Sequence, residues 1–371
     1  MNKVLSACTI LLTLVVGARA QEQPPASPDA PQETTLTART TLVLVPTLVT
    51  TKSGAPVYTL TADDFIVTDN GVPQKITLEE NLDGEPLALV VVVQIGGPAA
   101  QQMEKYRALG TMVEAMIGGV QHKVAVVDFD SEPELRLGFT ENLDKVSDVL
   151  ASLEPGDGGG AIFDGIGFAM KILSKQPSTY RRVILLISET VDHGSKLSAG
   201  DALKTISDTN TAIYSVAFSS TRSEIKRASA ANLPHSSPDP GPPGGCMAKD
   251  PDQAEDPTQT KAKQALDCAG VLLPPVLLVK AAVASVMNGF KKNVPETVSR
   301  VSGGEYFKFS SEKGLEQDLA RMSNHVDNRY ILSFHPQTPQ PGFHAIGVTM
   351  KDYDHLRVSA RDGYWFNEDS K

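Results

Sequence analysis

Cationic residues are in short supply in this chain of 371 residues. Lysine and arginine (34 residues) are outnumbered by aspartate and glutamate (44 residues), and the formal net charge is −10. Phosphate contacts need clustered cationic side chains, so this balance argues against a nucleic-acid partner. Hydrophobic residues make up 41% of the chain, which is enough to build substantial buried cores in a soluble protein.

Long apolar runs are missing beyond the first 20 residues. The nearest approach, residues 269–290, is interrupted by two prolines, a lysine and an asparagine, so we expect no membrane-spanning helix there. Residues 1–20 combine an early lysine, an apolar stretch and Ala-Arg-Ala before Gln21, which is the pattern of a secretory signal peptide cleaved after Ala20. The sequence therefore predicts a secreted or periplasmic protein without stable membrane insertion after cleavage.

Cysteine is rare, and export changes how the few cysteines are interpreted. Cys246 and Cys268 lie in the predicted mature chain, and two cysteines in an exported protein pair more often than they stay free. A disulfide between them would stabilise the fold by about 3 kcal/mol in the chain-entropy model. Two unpaired thiols in a loop are the alternative, and spacing alone does not decide between them. Zinc is a poor fit because no second Cys-x-x-Cys or His-x-x-x-His accompanies them.

Common catalytic motifs are missing as well. The chain has no Gly-x-Ser-x-Gly, no His-Glu-x-x-His and no Walker loop, and its seven histidines are scattered without metal-ligand spacing. Asp192, His193 and Ser195 lie close together in sequence, but the members of a catalytic triad meet through the fold rather than on one turn. We predict that the protein is not an enzyme and uses no cofactor, with a hydrolase built on these three residues as the alternative.

What the chain does contain is a set of apolar runs typical of buried parallel strands, at residues 87–95, 183–188 and 212–218. They alternate with helical stretches, which predicts a mostly parallel sheet with helices on both faces. In such sheets ligands bind at the carboxyl ends of the strands. The functional site is therefore expected where Gln94, Gly160, Glu189 and the segment after Phe218 converge.

The two ends of the chain follow a different pattern. Residues 21–39 are rich in Pro, Gln, Ala and Thr and are predicted to be a disordered tether. Residues 40–82 and 329–371 alternate apolar and polar positions, so we expect them to join in a small antiparallel β unit. Tyr364 and Trp365 are interpreted as buried anchors of this unit.

One tight turn is indicated inside the first of these segments. Asn70 and Gly71 lie between the apolar runs 65–68 and 74–78, and Asn-Gly in this setting is a strong hairpin signal. We therefore predict that these two runs pair with each other across the turn.

Several segments carry a family resemblance: RRVILLISETVDHGS at 181–195, VSGGEYFKFSS at 301–311 and LRVSARDGYWF at 356–366. The sequences of these segments and their order along the chain resemble the von Willebrand factor A domain, specifically a secreted bacterial subfamily known from Acidobacteria. The resemblance covers residues 40–366 apart from an insert. It implies a Rossmann-like domain over residues 83–328 that works as a protein–protein interaction module. The partner's identity and the oligomeric state stay open.

Intact members of this family carry Asp-x-Ser-x-Ser, a loop Thr and a later Asp, which hold a cation that captures an acidic side chain of the partner. The corresponding positions in this chain are Gln94, Gly96, Pro98, Gly160 and Glu189. One amide, one carboxylate and three residues without a side-chain oxygen do not supply the oxygen ligands that a hard divalent cation needs. We therefore predict a degenerate adhesion site that binds its partner without metal, through these positions and Asp192.

Nearby acids leave other interpretations open. Asp157, Asp164 and Asp192 could form an improvised cation site, although turn formation and helix capping explain such residues equally simply. A structural scaffold with no dedicated ligand is a further alternative.

The insert, residues 219–294, leaves the sheet at this same edge. Residues 236–260 are rich in Pro and Gly and are predicted to be loop or disorder, whereas residues 276–290 are apolar enough for a buried helix. We hypothesise that the insert covers the degenerate site and presents the partner-binding surface. A tolerated surface insertion whose helix merely patches the sheet is the alternative.

Overall fold

The structure is a computed structural model of the chain. It describes residues 42–79, 85–102, 106, 109–117, 119–218, 275–308, 312–326, 328–337, 340–353 and 355–367. The predicted signal peptide, the tether, Cys246, Cys268 and the Pro/Gly-rich part of the insert lie outside the described residues. The expectations for these segments stay predictions.

The strands are β1 (Val43–Thr51), β2 (Phe65–Asp69), β3 (Val72–Pro73), β4 (Ile76–Leu78), β5 (Leu87–Gln94), β6 (His122–Phe129), β7 (Pro133–Thr140), β8 (Arg181–Glu189), β9 (Thr211–Phe218), β10 (Tyr306–Lys308), β11 (Tyr330–Phe334), β12 (Gly342–Met350), β13 (Leu356–Ala360) and β14 (Gly363–Phe366). The helices are α1 (Leu109–Ile117), α2 (Leu143–Ala151), α3 (Ile162–Leu173), α4 (Ala199–Ser207), α5 (Pro275–Lys292), α6 (Val294–Ser302) and α7 (Glu312–Val326). A short 3-10 helix, Gly97–Gln102, follows β5.

The central sheet has six strands in the order β10-β9-β8-β5-β6-β7. All neighbours in it pair in parallel except β6 and β7, which pair antiparallel. Every residue of β5 is buried. The strand alternates between two cores, with Leu89 and Val91 in one and Val90 and Val92 in the other. This burial on both faces explains the uninterrupted apolar runs and confirms the predicted mostly parallel α/β sheet.

Helices cover both faces of this sheet. One core takes side chains from α1, α2 and α7, and the opposite core takes side chains from α3, α4, α5 and α6. The helix predicted at 276–290 is present as α5, which buries Leu278, Ala282, Val286 and Phe290 along one stripe. The Phe290 ring meets the ring of Phe163, at the start of α3, edge to face with centroids 5.1 Å apart.

The chain ends build two four-stranded antiparallel sheets, in the orders β13-β1-β11-β4 and β14-β12-β2-β3. Strand β1 lies between β11 and β13, so the N-terminal segment is interleaved with the C-terminal one. The predicted antiparallel unit is thus confirmed, as two sheets around a third core. Tyr364 is buried in this core, and Trp365 is partly buried against the core of the central sheet.

The predicted hairpin is half right. Asn70 and Gly71 both have positive φ (49° and 81°), and the turn joins β2 to β3 with Asp69 opposite Val72. The second arm is wrong, because residues 76–78 form β4, which pairs with β11 in the other sheet. The hairpin ladder is short because Pro73 has no amide hydrogen and the following apolar residues pack into the third core.

Candidate functional site

Two buried polar side chains meet where β5 and β8 end side by side. Gln94 and Glu189 are the last residues of these neighbouring strands, and both are 0% exposed. The Gln94 Oε1 atom accepts from the backbone N–H of Glu189 at 2.9 Å. The Gln94 Nε2 atom donates to Glu189 Oε1 at 3.1 Å and to the carbonyl of Gly96 at 3.2 Å. The Gln94 amide therefore uses its oxygen and its N–H groups within the protein.

The Gly-rich loop, residues 156–160, lies directly on this pair. A Cβ atom placed on Gly160 would come 2.8 Å from Gln94 Nε2 and 3.0 Å from Glu189 Oε1. The backbone of Gly160 pairs reciprocally with that of His193, with N···O distances of 3.1 Å and 2.8 Å. Glycine at this position thus allows the loop to close over the buried pair, and a larger residue would have to displace it.

The loop after β5 is in equally close contact with the Gly-rich loop. The Gly97 amide donates to the carbonyl of Asp157 at 2.6 Å, and the Gly156 amide donates to that of Ile95 at 3.1 Å. A Cβ atom on Gly96 would overlap the carbonyl oxygen of Gly159. Pro98 follows, at the start of the 3-10 helix. Gly96 and Gly160 are therefore positions where the loops approach each other closely.

This arrangement does not fit a divalent cation. Of the five corresponding positions, only Glu189 has a carboxylate, and the side-chain oxygen of Gln94 already accepts a backbone N–H. The space beside Gly160 is filled by the Gln94 amide and the Glu189 carboxylate. Within the residues that the structure describes, no group of three or more His, Cys, Asp or Glu side chains is placed to hold a metal ion. A Mg²⁺ ion would require near-octahedral oxygen coordination that these residues do not offer.

Asp157, one of the nearby acids, organises the Gly-rich loop itself. Its Oδ1 atom accepts from the Ser131 amide at 3.2 Å and from the Gly159 amide at 2.7 Å. Hydrogen bonds from the Ser131 hydroxyl and then from the Gly159 amide hold the pKa of Asp157 below its ordinary value. This pattern is that of an Asx turn, in which a carboxylate fixes local backbone.

Asp164 and Asp192 also bind backbone, in both cases around the start of α3. Asp164 accepts from the amides of Lys196 and Leu197, both at 2.8 Å. Asp192 accepts from the Phe163 amide at 3.2 Å. The two carboxylates thus tie the loop after β8 to the first turn of α3, where acidic side chains are favourable. Asp192 therefore lies beside the predicted site and positions its loops.

The residues of the possible hydrolytic triad are not assembled as one. The Ser195 hydroxyl donates to Asp192 Oδ1 at 2.5 Å, so its proton points at the carboxylate. The His193 ring is turned toward the sheet, with Nε2 3.4 Å from Glu189 Oε2. A triad needs the histidine between the hydroxyl and the acid, and this geometry places the hydroxyl on the acid directly.

The sequence indicated His193 only as a member of the alternative triad and gave no signal for Tyr106, yet both interact with Glu189. His193 is 9% exposed and contacts Glu189 four residues earlier in the chain. The Tyr106 hydroxyl is buried without a hydrogen-bond partner in the described part of the chain, and burial, followed by the charge of Glu189, raises its pKa. No spacing rule could have paired these residues with Glu189, because their approach to it depends on the fold.

Comparison with known families identifies a domain that overlaps part of this site. Residues 97–191, from the loop after β5 to the loop after β8, match the family model of the von Willebrand factor type A domain. The chain therefore contains a von Willebrand factor type A domain, as the resemblance implied. No curated protein has a sequence that matches this chain.

Among solved structures, an aerotolerance-related membrane protein from Bacteroides fragilis is similar at 15% identity and a TM-score of 0.37, over 64% of this chain and 98% of that one. BatB from Bacteroides thetaiotaomicron has 13% identity and a TM-score of 0.35, over 64% and 98% of the two chains. Proximal thread matrix protein 1 from the mussel byssus, solved with a zinc-occupied MIDAS motif, has 10% identity and a TM-score of 0.39, over 69% and 49%. These likenesses are too distant to bear on function.

Among the helices that the structure describes, none combines the length and the apolar character needed to cross a bilayer.

Proposed function

We propose that this protein is an exported protein–protein interaction module, of an adhesive or scaffolding kind, that binds its partner without a divalent cation. The binding surface is the carboxyl edge of the central sheet, around Gln94, Gly96, Pro98, Gly160, Glu189 and Asp192. The observation that carries the proposal is the packing of Gly160 on the Gln94–Glu189 pair. We also propose membership of the secreted subfamily known from Acidobacteria, and export through the N-terminal signal.

The buried members of this set position the surface, and the exposed residues of the same loops provide its contacts. Asp157, Gly158 and Gly194 are exposed on the Gly-rich loop and the loop after β8. Lys196 and Glu132, both well exposed, form an ion pair at 2.5 Å beside them. Such a surface recognises a protein through shape and polar contacts, with backbone amides and carboxylates as the available groups. The identity of the partner is a separate question from the location of the surface.

Site-specific cross-linking tests this proposal. A photo-reactive residue in place of Gly158 is expected to capture the partner equally in Mg²⁺ and in EDTA. Gly158 is suitable because it is exposed and a Cβ atom there meets nothing within 4 Å. Gly119 is the matched control, since it is also exposed and open, and it lies just before the amino end of β6.

Two results would count against the proposal. Capture at Gly158 that requires the cation would point to an improvised acidic site instead. Capture at Gly119 but not at Gly158 would place the partner surface away from the carboxyl edge.

A further inference from the structure

Three loops meet at the carboxyl edge: the loop after β5, the loop after β8 and the Gly-rich loop. His193 lies in the loop after β8, and its backbone and side chain join that loop to the Gly-rich loop and to the end of β8. Its backbone N–H and C=O pair with the C=O and N–H of Gly160, at 2.8 Å and 3.1 Å. Its imidazole reaches back to the strand end, where Nε2 lies 3.4 Å from Glu189 Oε2. The ring is 7% exposed and the Glu189 side chain 0%, so the contact is shielded from water.

Gln94 brings the third loop into the same cluster. It binds the backbone and the carboxylate of Glu189, as well as the carbonyl of Gly96 in its own loop. Gly160 packs against both side chains. We call Gln94, Gly160, Glu189 and His193 the loop latch. Its members come from the ends of β5 and β8 and from the Gly-rich loop, and each contacts at least one residue of another segment.

We infer that His193 is a positioning residue that, through Glu189, holds the Gly-rich loop closed on the sheet, so that the binding surface is permanently assembled. This inference rests on the proposed function and deepens it. A latch made of the chain's own side chains needs no added ligand to join the three loops. The surface is then in one arrangement before the partner arrives, which removes the conformational cost that a mobile site would add to binding.

A buried contact of this kind has a large effect when one partner is removed. Glu189 is 0% exposed, and a buried carboxylate that loses a polar neighbour is less well stabilised. Strand β8, which ends at Glu189, is anchored by its hydrogen bonds to β5 and β9, so it is not expected to move. The Gly-rich loop is held by hydrogen bonds to neighbouring loops, such as those of Gly156 and Gly160, instead of by a strand ladder, and is expected to open first.

Amide hydrogen exchange of the mature chain, residues 21–371, tests the latch. In His193→Ala, the amides of Gly160 and Gly97 are expected to exchange on the order of tenfold faster, while those of β5 keep their wild-type rates. His193→Gln is the conservative variant, because its Nε2 atom has about the same reach, and it is expected to restore most of the protection. His355→Ala is the matched control, since His355 is exposed.

The route through Glu189 is tested by a double-mutant cycle. If the imidazole acts on the loop through this carboxylate, His193→Ala should change exchange much less in a Glu189→Gln background than in the wild type. Unchanged exchange at Gly160 in His193→Ala, or equal effects in both backgrounds, would overturn the inference. Should His193→Ala fail to fold, His193→Leu, which keeps the bulk of the side chain but has no polar group, gives the same comparison in the two backgrounds. The cross-linking experiment at Gly158, carried out in EDTA on a protein with all four latch residues intact, tests the proposed function separately.

Discussion

Replacing Gly160 with alanine should destabilise the protein although it adds only one methyl group. The new Cβ atom would lie 2.8 Å from Gln94 Nε2 and 3.0 Å from Glu189 Oε1, both of which are buried and hydrogen-bonded to each other. Neither side chain can swing into solvent, so either the loop lifts or the buried pair separates. Overpacking of a tight interior costs about 1–3 kcal/mol, and loss of a buried hydrogen bond costs a similar amount. We expect a loss of about 2 kcal/mol in the free energy of unfolding.

Urea denaturation of the wild type and of Gly160→Ala measures this loss, provided that both unfold with the same denaturant dependence. Gly158→Ala is the matched control, two residues away in the same loop. A Cβ atom there meets nothing within 4 Å, so its stability should stay within about 0.5 kcal/mol of the wild type. If Gly160→Ala were as stable as Gly158→Ala, the loop would not be packed on the Gln94–Glu189 pair, and the reasoning against a cation at this position would lose its basis.

Two further predictions concern the junction with the antiparallel sheets. Arg361 is buried and donates to the carbonyls of Gly363 and Ser207. Arg361→Met should therefore lower the free energy of unfolding, measured by urea denaturation, by about 2–3 kcal/mol. An unchanged value would show that the guanidinium does not stabilise the fold. His344 is buried, which lowers its pKa, but hydrogen bonds to Asp69 and to a backbone carbonyl outweigh this and raise the pKa above its ordinary value. Because the folded-state pKa is the higher one, this stabilisation is fully present below about pH 6.5 and is lost as pH rises through the raised pKa. Thermal melts at stepped pH should show this loss in the wild type and not in His344→Gln, and the same slope in both would assign it to another group.

Local sequence patterns predicted the central sheet well. A strand such as β5, buried on both faces, needs apolar side chains at every position, and few other elements have that pattern. The hairpin shows where local signals end. The φ angles of Asn70 and Gly71 follow from residue type, whereas the pairing of β4 with β11 depends on a strand more than 250 residues away, near the other end of the chain.

The meeting of the two strand ends was predictable from the sequence, and the contacts made there were not. Topology places the ends of β5 and β8 side by side, so Gln94 and Glu189 were expected to converge. Their mutual hydrogen bonds, and the approach of His193, depend on the positions of the loops to within a few tenths of an ångström. A missing Thr at position 160 suggests a lost cation ligand in the sequence, but only the structure shows that the Gln94 amide and the Glu189 carboxylate occupy the space.

Thermal unfolding of residues 21–371 with excess Mg²⁺, Mn²⁺ or Ca²⁺, compared with EDTA, tests cation independence most directly. A cation present at 100 times its dissociation constant would stabilise the folded state by about 2.7 kcal/mol, a shift of several degrees in the melting temperature. The closed packing of Gln94, Gly160 and Glu189 predicts the same melting temperature in all four conditions. A clear upward shift with any of the cations would contradict it and would direct attention to Asp157, Asp164 and Asp192 as ligands.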